Sequence, residues 1–242
     1  MHRASAPDAT PAHAGALLSL VRLLQLASPA LPVGAYTYSQ GLEWAVDSGV
    51  VRSEAQVAAW TGELLACSVA SFEAPLLLRQ IEAWQQGDDA EVARLNDDFL
   101  CSRETAELRA ETVQMGWSLV RLLSELDAFA ALPGWRARLL QVAEPAFPTA
   151  WSAAVAAWQV PPAQALTAYL WAWLENQVMA AVKLVPLGQS AGQRLLASLG
   201  ERIPALVEAA QGLPEADWSN YTPGLALASS RHETQYTRLF RS

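Results

Sequence analysis

Cysteine and histidine are scarce in this sequence. Its 242 residues include two cysteines, Cys67 and Cys101, and three histidines. Two cysteines are too few for a disulfide framework, and no cluster of His, Cys and carboxylates has the local spacing of a metal site. The sequence therefore predicts a reduced, cytoplasmic protein with no cofactor and no permanent metal site.

Basic residues are also few. The chain has 16 Lys and Arg against 24 Asp and Glu, which gives a formal net charge of -8. A nucleic-acid-binding face usually carries a surplus of Lys and Arg, so a nucleic-acid partner is not expected. The chain has no Gly-x-x-x-x-Gly-Lys-Ser/Thr loop to cradle phosphates, so it is not itself a P-loop nucleotidase.

A long uninterrupted apolar run is missing as well. The most apolar segment, residues 163–187, is interrupted by Glu175, Lys183 and three amide side chains. About 20 mostly apolar residues are needed to span a bilayer, so this segment is predicted to be a buried core helix of a protein outside the membrane. Residues 1–16 are rich in Ala and Pro, lack the apolar core of a signal peptide, and are expected to form a disordered lead.

Strand-like alternation is absent, whereas helical periodicity runs through most of the chain. Hydrophobic residues make up 52% of the sequence and charged residues 17%, which is enough for a large core. The stretch "ALLSLVRLLQLA" places Leu17, Val21 and Leu24 on one helix stripe, with Leu20 beside them. Because no repeat and no linker composition appears, residues 17–228 are predicted to form one all-α, single-domain helical bundle.

Turn and capping residues divide the bundle into helices. Ser53 and Gln56 form a capping-box pair, and Gly87 should end a helix just before the next begins. The sequence from residue 88 to 126 is expected to form one long helix bent near Cys101, and Pro204 should kink a helix that starts near residue 189. Cys67 lies in an apolar helical stretch and is expected to be a small core residue.

Two segments stand apart from this periodicity. "SPALPVGAYTYSQGLEWAV", residues 28–46, has a short loop with two prolines and Gly34, followed by Tyr36, Tyr38 and Glu43. It is a candidate loop for presenting side chains to a partner. "SSRHETQYTRLFRS", residues 229–242, is basic and aromatic. It is expected to be a mobile partner-docking tail that folds into a helix on binding, so that its removal would leave the melting temperature nearly unchanged.

One short motif raises an enzymatic alternative. "GQSAG" satisfies Gly-x-Ser-x-Gly and would make Ser190 the nucleophile of a serine hydrolase, with His232 as the base that follows it in the chain. The preceding segment is predicted to be helical, however, and the hydrolase motif requires a strand before its turn. The interpretation favoured here is a helix–loop–helix corner.

Charged residues inside helical segments allow two interpretations each. "RETAELRAET", residues 103–112, places charges at helical neighbour distances, which favours a solvated face with weak ion pairs. Lys183 is a lone cation in an apolar stretch. It either extends along the surface to water or is held for a partner's carboxylate.

Four segments together resemble the UreF family of urease accessory proteins. They are "LLQLASPALPVGAYTYSQGLEWAV", "CSRETAELRAETVQMG", "VMAAVKLVPLGQSAGQRLL" and "SSRHETQYTRLFRS". The resemblance implies a helical, usually dimeric scaffold in the cytoplasm that takes part in nickel insertion into apo-urease. Such a scaffold binds UreD (also called UreH) and the GTPase UreG in a GTP-dependent chaperone complex, and UreE supplies nickel to UreG.

The resemblance also implies which residues contact partners. Tyr36, Glu43 and Lys183 belong to motifs tied to the UreG-facing and tail-contacting surfaces, and Tyr38 lies in the same loop. The tail, which in the family takes part in the contact with UreD, contributes a second group: Arg231, His232, Tyr236 and Arg241. The division between partner contact and internal packing stays open for these residues.

Overall fold

The computed structural model describes residues 11–242, with side chains from residue 14 onward. Every regular element in this range is helical, and none of these residues lies in a strand. The α-helices, numbered α1 to α13 in chain order, are Pro11–Ala27, Leu42–Asp47, Glu54–Leu64, Ala74–Gln86, Asp89–Cys101, Ala106–Glu125, Asp127–Ala130, Trp135–Gln141, Phe147–Ala157, Pro162–Leu184, Gln189–Gly200, Ile203–Gly212 and Pro223–His232. The predicted all-α fold is confirmed.

Helices α3 and α4 are joined into one continuous rod by a π-helical stretch, Leu65–Glu73. Ser53 caps the rod, because its Oγ accepts a hydrogen bond from the Gln56 N–H. Gly87 ends the rod in a left-handed conformation. The rod, Glu54–Gln86, is long and apolar enough to cross a membrane, but 67% of its most apolar window is buried in the protein, as in the core helix of a soluble protein.

The core is organised around two helices in the middle of the bundle. Helix α9 packs against both α4 and α6, and α10 packs against α1, α3, α4, α11 and α12. The predicted core helix within residues 163–187 is thus α10. Between α4 and α9, the Trp84 Nε1–H donates to Ser152 Oγ at 3.1 Å, and Gln80 Nε2 donates to Thr149 Oγ1 at 2.8 Å. These buried hydrogen bonds fix the register of the two helices.

Three expectations about the first half of the chain need correction. Helix α1 begins at Pro11, inside the stretch 1–16 that was expected to be disordered; residues 1–10 lie outside the described part of the chain. The predicted stripe of Leu17, Val21 and Leu24 is exposed, because α1 packs on the core through Leu23 and Leu26 instead. Cys67 is exposed as well. It lies in the π-helical stretch, whose wider turn rotates side chains away from their α-helical positions.

Two helices are interrupted rather than bent. The expected continuous helix over residues 88–126 breaks after Cys101, and α6 restarts with Thr105 as its cap, whose Oγ1 accepts from the Leu108 N–H at 3.2 Å. The expected kink at Pro204 is also a break. α11 ends at Gly200, and Pro204 occupies the first turn of α12, where its missing N–H costs nothing.

Candidate partner-docking site

The loop between α1 and α2 is held in a compact shape by its own backbone. The Leu31 N–H donates to the Ser28 carbonyl, and a single 3-10 turn covers Ala35–Thr37. Gly34 and Gly41 adopt φ angles of 82° and 76°, which a residue with a Cβ atom rarely tolerates. The predicted rigid Pro/Gly/Tyr loop is therefore present, with turns at both ends.

Gly41 also allows α13 to lie directly against the start of α2. A Cβ atom at this position would lie 2.9 Å from the Ser229 nitrogen and 3.0 Å from the Ala228 Cβ. The close approach brings the end of α13 within hydrogen-bonding distance of the α2 side chains. The part of the tail that follows α13, residues 233–242, then runs back across α2 and α6.

Glu43 is the central anchor of this tail. Its carboxylate accepts hydrogen bonds from the backbone N–H groups of Leu239 and Phe240, the second at 2.9 Å, and lies 3.1 Å from the His232 Nε2. The residue is 6% exposed. A buried carboxylate with three donors is well satisfied, so Glu43 acts as an internal clamp.

His232 joins two helices at the root of the tail. The ring is fully buried, with Nε2 facing Glu43 of α2 and Nδ1 lying 2.7 Å from Oε2 of Glu107 on α6. Both ring nitrogens lie within hydrogen-bonding distance of a carboxylate oxygen, so the ring links α2 and α6 at this point. Arg238 also forms an ion pair with Glu107.

The last residue, Ser242, is seated in a second buried cluster. Its carbonyl oxygen accepts from the Ser39 N–H at 2.7 Å and from the Ser39 Oγ at 2.6 Å. Its hydroxyl donates to Glu111 Oε2 at 2.7 Å, and the other oxygen of Glu111 accepts from Gln40 Nε2 at 2.8 Å. Burial raises the pKa of the Glu111 carboxyl to about 7, although both hydrogen bonds oppose the shift.

The tail is held on the body of the protein, although it was expected to be mobile in the free chain and to become helical on binding. Residues 233–242 are irregular, because Glu43 takes up the N–H groups of Leu239 and Phe240 that a helix would have paired internally. Tyr236, Leu239 and Phe240 do not share one face: Phe240 belongs to the hydrophobic core, whereas the other two are exposed. The expectation that the tail contributes nothing to the core is therefore wrong.

The structure brings most of the predicted site residues together but turns them in different directions. Tyr38, Glu43 and His232 point inward and are buried. Burial also raises the pKa of the Tyr38 hydroxyl. Arg241 is exposed and ties the tail to the body, because its N–H donates to the Thr37 carbonyl and its guanidinium to Gln114.

The outward-facing residues form the part of the site that a partner could touch. Tyr36 is 64% exposed, and Tyr236 is completely exposed. Arg231 and Lys183 are exposed too. The Lys183 Nζ lies 5.6 Å from the centre of the Phe240 ring, close enough for a cation–π interaction, so this lysine touches the seated tail from outside.

Four residues of the site were not picked out from the sequence: Ser39, Gln40, Glu107 and Glu111. The two glutamates lie one helical turn apart on α6, in the segment expected to be a solvated face. That expectation is wrong for its inner side, since Glu111 is buried and the Arg103 side chain makes a buried ion pair with Glu73 at 2.9 Å. One signal in the sequence could have identified the two glutamates. Glu107 and Glu111 are spaced i, i+4 within one of the four segments that resemble the UreF family.

The serine of "GQSAG" lacks the surroundings of a hydrolase nucleophile. Ser190 lies exposed in the first turn of α11, and the segment before it is the end of helix α10 rather than a strand. The proposed base, His232, has both ring nitrogens engaged by Glu43 and Glu107. The strand–turn–helix context of the motif is absent at this corner.

Metal-binding side chains are dispersed in the part of the chain that the structure describes. No group of three or more His, Cys, Asp and Glu residues is placed to hold a metal ion within these residues. His2 and the side chain of His13 lie outside them. The His232 cluster offers two carboxylates and a ring, but its atoms are already committed to the tail and to one another.

Comparison with known proteins agrees with these features. The UreF family model matches residues 51–200. A urease accessory protein UreF of Azoarcus sp. (strain BH72) is 76% identical over 229 residues, 95% of this chain and 98% of the relative. The UreF proteins of Dechloromonas aromatica (strain RCB) and Methylobacillus flagellatus are 59% and 48% identical, each covering 93% of this chain and 98% of its own length. The chain therefore belongs to the UreF family of urease accessory proteins.

Proposed function

We propose that this protein is a non-catalytic scaffold for nickel insertion into apo-urease. In this role it works as a homodimer in the cytoplasm and binds UreD (UreH) and the GTPase UreG in a GTP-dependent chaperone complex. UreE contributes indirectly, because it delivers nickel to UreG. The family membership supports the general role. The individual contacts are assigned from the surface described above.

The observation that carries the proposal is the seated tail with its outward-facing aromatic side chain. Tyr236 is fully exposed and Leu239 is 71% exposed, while the backbone between them and Phe240 is fixed by Glu43. Large apolar side chains held outward on a fixed backbone lose little entropy when a partner covers them. Aromatic residues in such positions commonly dominate binding free energy.

A second apolar surface supports an interaction role. Helix α1 exposes a set of aliphatic side chains, each between 45% and 62% exposed: Leu17, Leu18, Leu20, Val21 and Leu24. Contiguous exposed apolar side chains on one helix usually mark a protein–protein contact. An enzyme active site would not require them.

The test is capture of purified UreD by tagged variants of this protein. Tyr236→Ala should weaken the complex by more than tenfold, because an anchoring aromatic side chain contributes on the order of 2–4 kcal/mol. Thr237→Ala, which is also exposed but removes one small polar group, is the matched control and should bind as the wild type does. Unchanged capture by Tyr236→Ala and by Leu239→Ala would show that UreD does not bind here.

The UreG contact is tested separately with the other exposed residues. Tyr36→Ala and Lys183→Ala should reduce UreG capture from a UreD-containing complex while leaving UreD capture intact. Because neither side chain is buried, circular dichroism should show wild-type helix content for both variants. If both variants recruit UreG with wild-type affinity, UreG must bind elsewhere on the protein.

A further inference from the structure

A cavity of about 250 Å³ lies between the loop of residues 28–36, α6 and α10. Its mouth is at the surface, where Tyr36 and Met179 are exposed. Its inner wall includes Trp151 and Tyr169, which are buried. The cavity therefore leads from solvent into the core, and its volume is large enough for a small organic molecule.

Aromatic rings make up much of the wall. The lining includes the aromatic residues Tyr36, Phe147, Trp151, Tyr169 and Trp173. Phe147 and Tyr169 stack with their ring centres 6.2 Å apart. The faces of aromatic rings carry partial negative charge and attract cations, most strongly where water is excluded.

The charged residues of the lining leave an excess of negative charge. Glu73 and Arg103 form a buried ion pair at 2.9 Å and neutralise each other. Lys183 lies at the rim, against the Phe240 ring of the tail. The two other acidic groups in the lining are the carboxyl of Glu175 and that of Glu111, whose pKa burial raises to about 7.

Within residues 14–242, the indole N–H of Trp151 in this lining is buried without a hydrogen-bond partner, and Glu175 is the acidic group of the lining that lacks one. The structure gives it no ion pair and no side-chain hydrogen bond to any residue from 14 to 242, and it is partly buried. Burial alone raises the pKa of its carboxyl. A carboxylate that loses water without gaining a partner is destabilised, and a bound cation would recover that free energy.

We propose that this cavity binds a small organic cation, an alkylammonium or alkylguanidinium group carried on a short apolar body. The cationic head pairs with Glu175 and the aromatic faces, and the apolar body contacts the aliphatic wall. An anion would be repelled by the carboxylates, and a neutral molecule would leave Glu175 unpaired. This binding activity goes beyond the scaffold role and does not depend on it.

Binding is measured on the full chain by ligand-observed NMR titration. The probes are n-butylguanidinium, n-butanol and butyrate, which share a four-carbon body and differ in the charge of the head group. Butylguanidinium should saturate the protein with an affinity at least about fivefold higher than that of n-butanol, and butyrate should not bind. Equal affinity for the cation and the alcohol would overturn the proposal.

Three variants localise the cation. Glu175→Gln keeps the size of the side chain and removes its charge, and it should weaken butylguanidinium about fivefold while leaving n-butanol unchanged. Glu208→Gln removes an exposed carboxylate on α12, away from the lining, and should have no effect. Met179→Trp fills the mouth without changing any charge and should block all probes. Cation binding that is insensitive to both Glu175→Gln and Met179→Trp would place the site elsewhere and refute the assignment.

A last probe distinguishes the source of the cation. N-acetyl-arginine amide carries the same guanidinium on a piece of polypeptide. If it binds as tightly as butylguanidinium, the mouth admits a side chain of a protein partner. If it is excluded while butylguanidinium binds, the ligand is a free small molecule.

Discussion

Replacing Glu43 with alanine should release the C-terminal tail from the body of the protein. In the structure one carboxylate accepts from the N–H groups of Leu239 and Phe240 and faces the buried His232 ring. The substitution leaves these donors without acceptors, and both the Phe240 N–H and the His232 ring are buried. Glu43→Gln is the milder change, since it keeps one oxygen and the same volume but loses the charge.

The magnitude follows from burial. A buried donor that loses its acceptor costs about 1–3 kcal/mol. Glu43 is 6% exposed, accepts from two backbone N–H groups and lies beside the buried His232 ring. Glu43→Ala should therefore destabilise the seated tail by about 3–5 kcal/mol, and Glu43→Gln by about 2–3 kcal/mol because one acceptor remains.

Hydrogen exchange of the tail amides is the most direct assay. The Leu239 and Phe240 amides should exchange at least about 100-fold faster in Glu43→Ala, which is the rate change that about 3 kcal/mol of local opening produces. Chemical unfolding should show a parallel loss of stability. Glu104→Gln is the matched control, because Glu104 lies exposed near the start of α6 and should change neither measurement by more than about 0.5 kcal/mol.

Wild-type protection of both amides in Glu43→Ala would refute this reasoning. It would mean that the core contact of Phe240 and the bonds of Ser242 alone hold the tail. Faster exchange in Glu43→Ala but not in Glu43→Gln would instead show that an acceptor oxygen is needed and that the charge is not.

Three further outcomes can be checked. Deleting residues 231–242 should lower the melting temperature by on the order of 10 °C, the reverse of the sequence-based expectation. The deletion removes buried side chains and leaves buried carboxylates without their partners. A melting temperature within about 2 °C of wild type, measured by calorimetry, would contradict this prediction. The pKa of Glu111 is raised to about 7, so its contribution to stability is complete below about pH 4.5 and is lost as the pH rises through 7. The free energy of unfolding, measured with urea between about pH 5 and 8, should decline in the wild type and not in Glu111→Gln. Identical pH profiles of the two proteins would count against a titrating Glu111. Gly116→Ala should cost several kcal/mol or prevent folding, because its Cβ would lie 1.9 Å from the Pro145 carbonyl oxygen, whereas Gly212→Ala meets no atom within 4 Å and should be neutral or stabilising; equal stability of the two variants by urea unfolding would refute the close contact.

Local chemistry was sufficient to predict the all-helical fold and some of the helix ends. The Ser53 cap, the Gly87 stop and the apolar periodicity of α10 each act within a few residues, so they can be recognised in the sequence. The predictions failed where a side chain from elsewhere replaced a local hydrogen bond. Residues 239 and 240 have helical spacing, but Glu43, almost 200 positions earlier, takes their N–H groups.

The candidate site was predicted only in part, because it too is completed by residues that are distant in the sequence. Its two sequence motifs were found, since the loop and the tail have distinctive compositions. Which of their side chains are exposed could not be predicted from them, because Tyr36 and Tyr38 differ in exposure by the geometry of a single 3-10 turn. The acidic residues of α6 that complete the site resembled a solvated helix face.

The amino-acid sequence by itself determined that this chain is a helical bundle, where some of its helices begin or end, and that it resembles the UreF family. Periodicity, caps and glycine stops are properties of neighbouring residues, so they survive without tertiary information. Tertiary structure decided that the tail is part of the body and that Glu43 and His232 point inward. Those outcomes depend on contacts between residues more than 100 positions apart, whose pairing is set by the packing of α2, α6 and α13 and by the cost of leaving a buried charge unpaired.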